Sequence, residues 1–434
     1  MSSDTIFALA SGAGRAAIAV IRLSGPSVGR VLEVLAALTP QPRFAHYVTL
    51  RAPGADEPLD RGLALYFPAP NSPTGEDYAE LQIHGGRAVA RALLGVLSRL
   101  PGLREAEPGE FARRSLANGK MDLSQVEGLA DLIDAETEFQ RRQAIRALGG
   151  ALRKRVEGWR ERLIRALALV EAELDFSDEG DVFEPATALR PLLEPTIAEM
   201  AGALTASEAS ERLRDGFVVL LLGLPNSGKS TLLNALARRE VAIVSAIPGT
   251  TRDMIEVHLD LGGMPITLVD TAGLREAEDE IERIGVARTR ARIGEADLLL
   301  WLSEGGRETP QLEPLGGAEL IRVATKADFL NCTSDDLAIS ARTGFGIDRL
   351  LEEIAGRAKR RLGDGSTALL TRERHRRLIQ EARMAIETSL DSGKPLEFVA
   401  DDLRVAGRAL GRIVGAVDVE EVLDAIFSQF CIGK

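Results

Sequence analysis

Cysteine is nearly absent from this chain, with only Cys332 and Cys431 among 434 residues. Two cysteines cannot build a disulfide framework, and their separation matches no zinc-ligand spacing. Long apolar runs are missing too. The longest, such as Val218 to Leu222 and Leu298 to Leu302, fall far short of the ~20 residues a bilayer span needs, so no transmembrane helix is expected. The opening Met1-Ser2-Ser3-Asp4-Thr5 has no basic region leading into an apolar stretch and a small-residue cleavage site. Export is therefore not expected, and the expected location is cytoplasmic. An excess of positive charge is also lacking: Lys plus Arg is 53 against 65 for Asp plus Glu, a formal charge of −12, so overall charge cannot hold a nucleic acid. Local patches would have to, for example Arg153-Lys154-Arg155, Lys359-Arg360-Arg361 or Arg372, Arg374, Arg376 and Arg377, though each of these reads first as a solvated helix face. There is no internal repeat and no low-complexity tract.

What is present is an ordinary globular composition, 45% hydrophobic and 27% charged, at a length that favours two or three domains. To about Asn118, short apolar runs (Ala17 to Leu23, Gly62 to Phe67, Glu80 to His84) alternate with turn-rich stretches such as Pro68 to Pro73, the pattern of an α+β domain. From Asp122 to about Asp175 proline disappears and apolar residues recur at helical spacing, as in Leu123, Val126, Leu129, Ala130 and Ile133. Helical patterning returns from Arg372 to Leu390 and ends in Val419, Val422, Leu423, Ile426, Phe427 and Phe430, one stripe of a helix. Two helical segments thus flank the middle of the chain. The economical arrangement is one helical domain with another domain inserted into it.

The middle carries the chemistry. Phe217 to Leu222 is a continuous apolar run, as a buried parallel strand requires, and Gly223-Leu-Pro-Asn-Ser-Gly-Lys-Ser230 follows at once, leading into a helical Thr231 to Ala237. Strand, glycine-rich loop and helix form a P-loop: backbone N–H groups wrap phosphates, Lys229 neutralises their oxygens and the Ser230 hydroxyl reaches magnesium. Asn226, Ser227, Gly228, Lys229, Ser230 and Thr231 are the expected phosphate-side contacts. A second strand, Ile266 to Asp270, ends in a carboxylate followed by Thr271, Ala272 and Gly273; Asp270 would hold the magnesium shell and the Gly273 amide would sense a γ-phosphate. Between the two, Pro248-Gly-Thr-Thr-Arg-Asp253 supplies hydroxyls, and Thr251 is the candidate for a further magnesium ligand.

Base choice is expected from Thr325, Lys326, Ala327 and Asp328 after the apolar Leu320 to Ala324, supported by Ser340, Ala341 and Arg342. A carboxylate such as Asp328 accepts two hydrogen bonds from guanine N1 and N2, a pair that adenine does not offer. Related GTPases usually have Asn in place of Thr325; threonine lacks the amide, so base affinity is expected to fall while the choice of base survives. Ras-like enzymes orient the attacking water with a Gln after the glycine of the Asp-x-x-Gly element. Here that position is Leu274, which cannot hydrogen-bond water, and the acidic run Glu276, Glu278, Asp279, Glu280 and Glu282 offers substitutes or is simply solvated.

On these residues and three further regions the chain resembles the MnmE (TrmE) family of tRNA-modification GTPases over essentially its whole length. The regions are Asp4-Thr-Ile-Phe-Ala-Leu-Ala-Ser11 with Gly14 and Ile21-Arg-Leu-Ser-Gly-Pro26; Gly75-Glu-Asp77 with Glu80, His84-Gly-Gly86, Pro108-Gly-Glu-Phe111 and Asn118-Gly-Lys-Met-Asp-Leu123; and the ending Phe430-Cys-Ile-Gly-Lys434. The resemblance implies a multidomain α+β and α/β architecture. Residues 1–118 would form an N-terminal α+β folate-binding and dimerising domain, 119–212 with 365–434 a discontinuous helical domain, and 213–364 an inserted P-loop (Ras-like) GTPase domain.

It also implies a homodimer, the FAD-carrying partner MnmG in a heterotetramer, and tRNA as substrate, with a tetrahydrofolate derivative donating one carbon to the wobble uridine. The implied folate contacts are Arg22, Glu80, Lys120 and Lys434, and Cys431 takes a role in the modification or is a half-buried residue beside the helical stripe. By the same resemblance a potassium ion is held by Asn226 and the segment Ser245, Ala246, Ile247, Pro248, Gly249 and Thr250, through Asn226, Ser245, the Ile247 carbonyl and Thr250, while Glu282 orients the catalytic water. The family often has Ala where this chain has Pro248. The alternatives are a ribosome-assembly GTPase that modifies nothing, or an interaction switch with negligible catalysis; neither accounts for the ending Cys431 to Lys434 or the folate-like set.

Overall fold

The structure is a computed structural model that describes residues 4–12, 14–175, 185–239, 241–243, 256–270, 293–294, 296–307, 318–330, 337–363, 370–416, 426–427, 430 and 433. It divides into two compact units, residues 1–130 with 411–434, and residues 131–410.

The first unit is built on a six-stranded sheet of order β3-β4-β5-β2-β1-β6. Its strands are β1 (Thr5–Leu9), β2 (Ile18–Ser24), β3 (His46–Arg51), β4 (Pro58–Phe67), β5 (Tyr78–His84) and β6 (Leu103–Glu105), all antiparallel to their neighbours except the parallel β1·β6 pair. Strand β1 is apolar at consecutive positions because the sheet is covered there on both faces. Phe7 joins Ile21, Leu23 and Leu81 under α1 (Val28–Ala36) and α2 (Arg87–Leu97), while Ile6 and Ala8 meet Tyr78 and Phe111 of α3 (Glu110–Ala117). Ile426, Phe427 and Phe430 are buried against Ala112 of α3 and Leu123 and Val126 of α4 (Leu123–Asp134), as the apolar stripe requires. Val419, Val422 and Leu423 of that stripe lie outside the described residues.

The second unit holds the helices α5 (Glu138–Leu148), α6 (Ala151–Asp175), α7 (Pro185–Asp215), α10 (Glu373–Ser389) and α11 (Leu396–Ile413), with α7 packed on both α6 and α10. It also holds a seven-stranded sheet of order β13-β12-β11-β7-β10-β9-β8. The strands are β7 (Phe217–Leu222), β8 (Ala242–Ile243), β9 (Glu256–Leu261), β10 (Met264–Asp270), β11 (Leu298–Glu304), β12 (Glu319–Thr325) and β13 (Leu337–Ala338). From β13 to β10 neighbours run parallel; β9 and β8 are antiparallel additions at one edge. Strand β7 is central, which explains its unbroken apolar run: Phe217, Val219 and Leu221 enter the core under α8 (Lys229–Ala237) and α9 (Ile347–Leu362), and Leu220 and Leu222 enter the opposite core with Val269 and Leu299. The chain goes from β7 to β10 on one side and then crosses to β11 on the other. In open α/β sheets the crevice at the carboxyl ends of such strands is where ligands bind. Among the described residues no helix is long and apolar enough to cross a membrane.

Candidate functional site

The loop after β7 leaves the strand at Gly223 with φ of +146°. A Cβ here would lie 2.2 Å from the Leu302 carbonyl oxygen, so only glycine lets the loop turn this close to β11. Asn226 adopts φ of +66°, a left-handed conformation that asparagine tolerates better than most residues. Gly228, also left-handed, is the N-cap of α8 and delivers Lys229 and Ser230 into the first turn of the helix. The amides of that turn have no intrahelical acceptor, which makes the loop an anion cradle. Lys229 is buried, with its ammonium donating to the carbonyls of Gly223 and Leu224 at 2.9 and 3.0 Å, which keeps the cation inside the loop.

The Ser230 hydroxyl donates to Oδ2 of Asp270 at 2.9 Å. Asp270 is the last residue of β10, in parallel register with Leu221 of β7, and its side chain is buried. Two sequence-predicted magnesium-side residues, 40 positions apart, therefore meet at the carboxyl edge of the sheet. Both are hard oxygen donors, which is the chemistry magnesium prefers.

The base-side residues gather as the motifs require. Asp328, Thr325, Lys326, Ser340, Ala341 and Arg342 line one pocket with Gly228 and Thr231 of the phosphate loop and helix. Strand pairing extends into the loops that hold them: the Ile339 amide donates to the Ala324 carbonyl at 2.8 Å and the Ala327 amide to the Ile339 carbonyl at 3.1 Å. Thr325 does something that its sequence position does not reveal. Its hydroxyl lies 2.8 Å from the Ser227 carbonyl and 3.2 Å from that of Ser303, bracing the phosphate loop and β11 against β12. One pocket residue and one partner of a pocket residue escaped sequence reasoning. Phe329 lines the pocket with the Arg342 guanidinium 5.4 Å from its ring centroid, and Glu304 pairs with the Lys326 ammonium at 3.1 Å. An aromatic placed directly after the base-reading carboxylate was the available signal for Phe329.

In the first unit, Arg22 and Glu80 face each other across the β2·β5 register, and Arg22 Nε donates to Glu80 Oε1 at 3.1 Å. Arg22 also reaches the Gly433 carbonyl at 3.4 Å, which places Gly433 beside this pair. Tyr78, not foreseen, donates to the same Glu80 oxygen at 3.1 Å; burial, opposed by Arg22 and reinforced by Glu80, pushes its phenol well above the usual range, so it stays a donor. Lys120 lies on the segment after α3 with its stem against the Gly75 turn, where a Cβ would come within 3.2 Å of Lys120 Cε. Ser245, Ala246, Ile247, Pro248, Gly249, Thr250, Thr251, Thr271, Ala272, Gly273, Glu282, Cys431 and Lys434 lie outside the described residues.

A left-handed glycine-rich loop on the central strand, a buried lysine within it, a Ser–Asp pair at the sheet edge and a carboxylate in the adjoining base pocket define the class: a P-loop GTPase, an enzyme that hydrolyses GTP. Comparison with known proteins narrows the class. A family described as the MnmE helical domain matches residues 123–431, and one described as the GTP-binding protein TrmE N-terminus matches residues 5–120. The tRNA modification GTPase MnmE of Methylobacterium sp. (strain 4-46) is 54% identical over 100% of both chains. The protein of that name from Beijerinckia indica is 52% identical over 99% of this chain and 96% of its own, and that of Azorhizobium caulinodans 52% identical over 100% and 99%. This chain belongs to the MnmE (TrmE) family of tRNA modification GTPases.

Proposed function

We propose that this chain is a potassium-stimulated GTPase that works as a cytoplasmic homodimer with the flavoprotein MnmG, in a heterotetramer, to install aminomethyl or carboxymethylaminomethyl groups at C5 of the wobble uridine of certain tRNAs. The observation that carries the hydrolytic half is the Ser230–Asp270 hydrogen bond at the mouth of the phosphate loop. Family membership supports the tRNA half. The proposal includes the three-part organisation, with 1–118 binding folate, 119–212 and 365–434 helical, and 213–364 the inserted GTPase.

In this reading the amides around Gly228 and the Lys229 ammonium bind the phosphates. Ser230 and Thr251 would ligate magnesium directly and Asp270 through its water shell; the ion, when bound, neutralises charge on the β- and γ-phosphate oxygens. Asn226, Ser245, the Ile247 carbonyl and Thr250 would hold potassium, which when bound supplies positive charge where other systems insert an arginine. The Glu282 carboxylate orients the attacking water in place of the Gln that Leu274 displaces. Asp328 accepts from guanine N1 and N2. In the first unit Glu80 keeps acceptor capacity beyond its bonds from Arg22 and Tyr78, since an ionised carboxylate has about four lone-pair sites, and so can accept from a pterin edge. Arg22, Lys120 and Lys434 would take the carboxylates of a tetrahydrofolate derivative, which when bound supplies the one-carbon unit, and Cys431 acts in the modification.

The test has two arms. GTP turnover by the full chain should rise strongly when potassium replaces sodium, and a Glu282→Ala variant should bind GTP while losing hydrolysis; equal rates in the two salts would refute the potassium mechanism. Mass analysis of tRNA from cells lacking the protein should show unmodified wobble uridines. Fully modified uridines would refute the tRNA role.

A further inference from the structure

One wall of the nucleotide pocket includes Phe329, which none of the GTPase motifs explains, set against Arg342 of the base-side segment. Phe329 follows Asp328 directly, and its amide donates to the Lys326 carbonyl at 2.9 Å, so a tight turn fixes the direction in which the ring leaves the chain. The ring is 70% exposed. A lone exposed phenylalanine is ordinary and needs no account. This one lines the pocket that contains Asp328, and it holds the guanidinium of Arg342, from the loop beyond β13, 5.4 Å from its centroid. Two loops that approach from different strands thus meet at the rim through a cation–π contact, which presents an apolar face and a delocalised cation toward a site for a flat, electron-rich ring.

The neighbouring geometry says why such a wall is needed. Thr325 has no amide to offer the base, and its hydroxyl is directed to the Ser227 and Ser303 carbonyls. Asp328 discriminates among bases by hydrogen bonding, but that contact alone gives the ring no surface to lie against. Stacking on an aromatic or a guanidinium supplies attraction that is indifferent to exocyclic groups.

Resting on the GTP reading above, we propose that Phe329 and Arg342 form the stacking wall for the purine ring of the bound nucleotide, setting affinity for guanine and hypoxanthine nucleotides alike, while Asp328 sets the choice among purines. The two functions are separable. Losing the wall weakens all purine nucleotides by one factor, whereas altering Asp328 changes their ratio.

The experiment is calorimetric titration of the full chain with GDP and with IDP, which lacks only the 2-amino group, in magnesium. Phe329→Ala should raise Kd for both ligands by the same factor, about 5- to 100-fold, and Arg342→Ala should raise both by a smaller common factor. Phe329→Tyr, which keeps the ring, should bind as the wild type does, and Phe329→Leu, which keeps apolar bulk without the ring, should resemble Phe329→Ala. The melting temperature of the nucleotide-free chain should be the same in all, since the ring is exposed. Wild-type GDP affinity in Phe329→Ala, or wild-type affinity in Phe329→Leu, overturns the wall. A wild-type chain that binds no GDP overturns the GTP reading itself, so the two failures are distinct.

Discussion

Replacing Thr325 by valine keeps the shape of the side chain and removes only its hydroxyl. Thr325 is 5% exposed, so water cannot readily take the place of that hydroxyl. The Ser227 carbonyl, 2.8 Å away, loses a donor inside the phosphate loop, and the Ser303 carbonyl at 3.2 Å loses its share of the same proton. A buried polar group stripped of its partner costs roughly 1–3 kcal/mol. Where that cost falls is decided by position: Ser227 immediately precedes Gly228, whose conformation presents the first amides of α8 to phosphate. Loosening it disorders the cradle, so much of the penalty should appear in nucleotide binding as an increase in GDP Kd of about 5- to 100-fold. Thr325→Asn should behave in the opposite way. An amide carries two N–H groups and can serve both carbonyls at once, where a hydroxyl has one proton to divide, so GDP affinity should equal or exceed that of the wild type. Calorimetric titration with GDP, combined with hydrogen exchange at the Ser227 to Lys229 amides, reads both consequences. Unchanged affinity and unchanged exchange in Thr325→Val would refute the bracing role. Equal weakening in Thr325→Val and Thr325→Asn would assign the effect to packing beside Gly228 instead.

Other perturbations test other parts. Asp328→Asn replaces an acceptor of two N–H groups by an amide whose donor edge opposes one of them; GDP affinity should fall by about 100-fold or more while xanthosine diphosphate, with a carbonyl at C2, gains, and equal GDP binding would refute base reading by Asp328. Burial opposes the charge of Glu110, but hydrogen bonds from Arg104, the Glu107 amide and Arg114 outweigh it and hold its pKa below 4.5. Its stabilising contribution is therefore complete above that pH and lost as pH falls through the folded-state value; acid titration of Glu110→Gln should show a shallower loss of stability below pH 4.5 than the wild type, and an identical profile would remove Glu110 as a cause. Phe139→Ala should leave GDP affinity and GTP turnover intact while lowering wobble-uridine modification in cells, and undiminished modification would show that α5 transmits nothing.

Legibility from sequence varied with how local the physical cause was. The β7 run was readable because a strand covered on both faces must be apolar at every position, and Phe217 to Leu222 feeds two cores alternately. The phosphate loop was readable because close approach to Leu302 admits only glycine at position 223. Helix α7 was not readable: Pro191 and Pro195 look like breakers, each costing about 3 kcal/mol in a helix interior. Both lie on its exposed face, where a missing amide costs least, while Leu189, Leu193, Thr196 and Met200 form a fully buried stripe that sustains the helix. Thr325 was legible only as the loss of an amide. Its gain depends on carbonyls 98 and 22 residues away, which no local pattern encodes. Tyr78 and Phe329 are different cases, since each carries a local signal: Tyr78 shares a strand face with Glu80 two residues on, and Phe329 directly follows Asp328.

The same non-local logic gives β10 two ends with different duties. At one end Asp270 meets Ser230 and the phosphate loop. At the other, the turn into β10 is left-handed at Gly263, whose carbonyl accepts from the Phe139 amide of α5 at 3.1 Å. A Cβ on Gly263 would come within 2.8 Å of the Phe139 ring, so contact between turn and helix requires glycine there. Helix α5 is in turn fixed at its start by a capping box of Thr137 and Gln140, and the Gln140 amide donates to the Arg214 carbonyl at the end of α7. Between these ends the strand is held in register by β7 on one side and β9 on the other, so it cannot stretch or slide independently and must move as a unit. Were Asp270 to shift on exchange of GTP for GDP, the Gly263–Phe139 contact would lie at the far end of the same strand, next to the start of α5 and, through Gln140, the end of α7. If hydrolysis acts on the helices through that contact, Phe139, at the opposite end of β10 from Asp270, should separate turnover from modification.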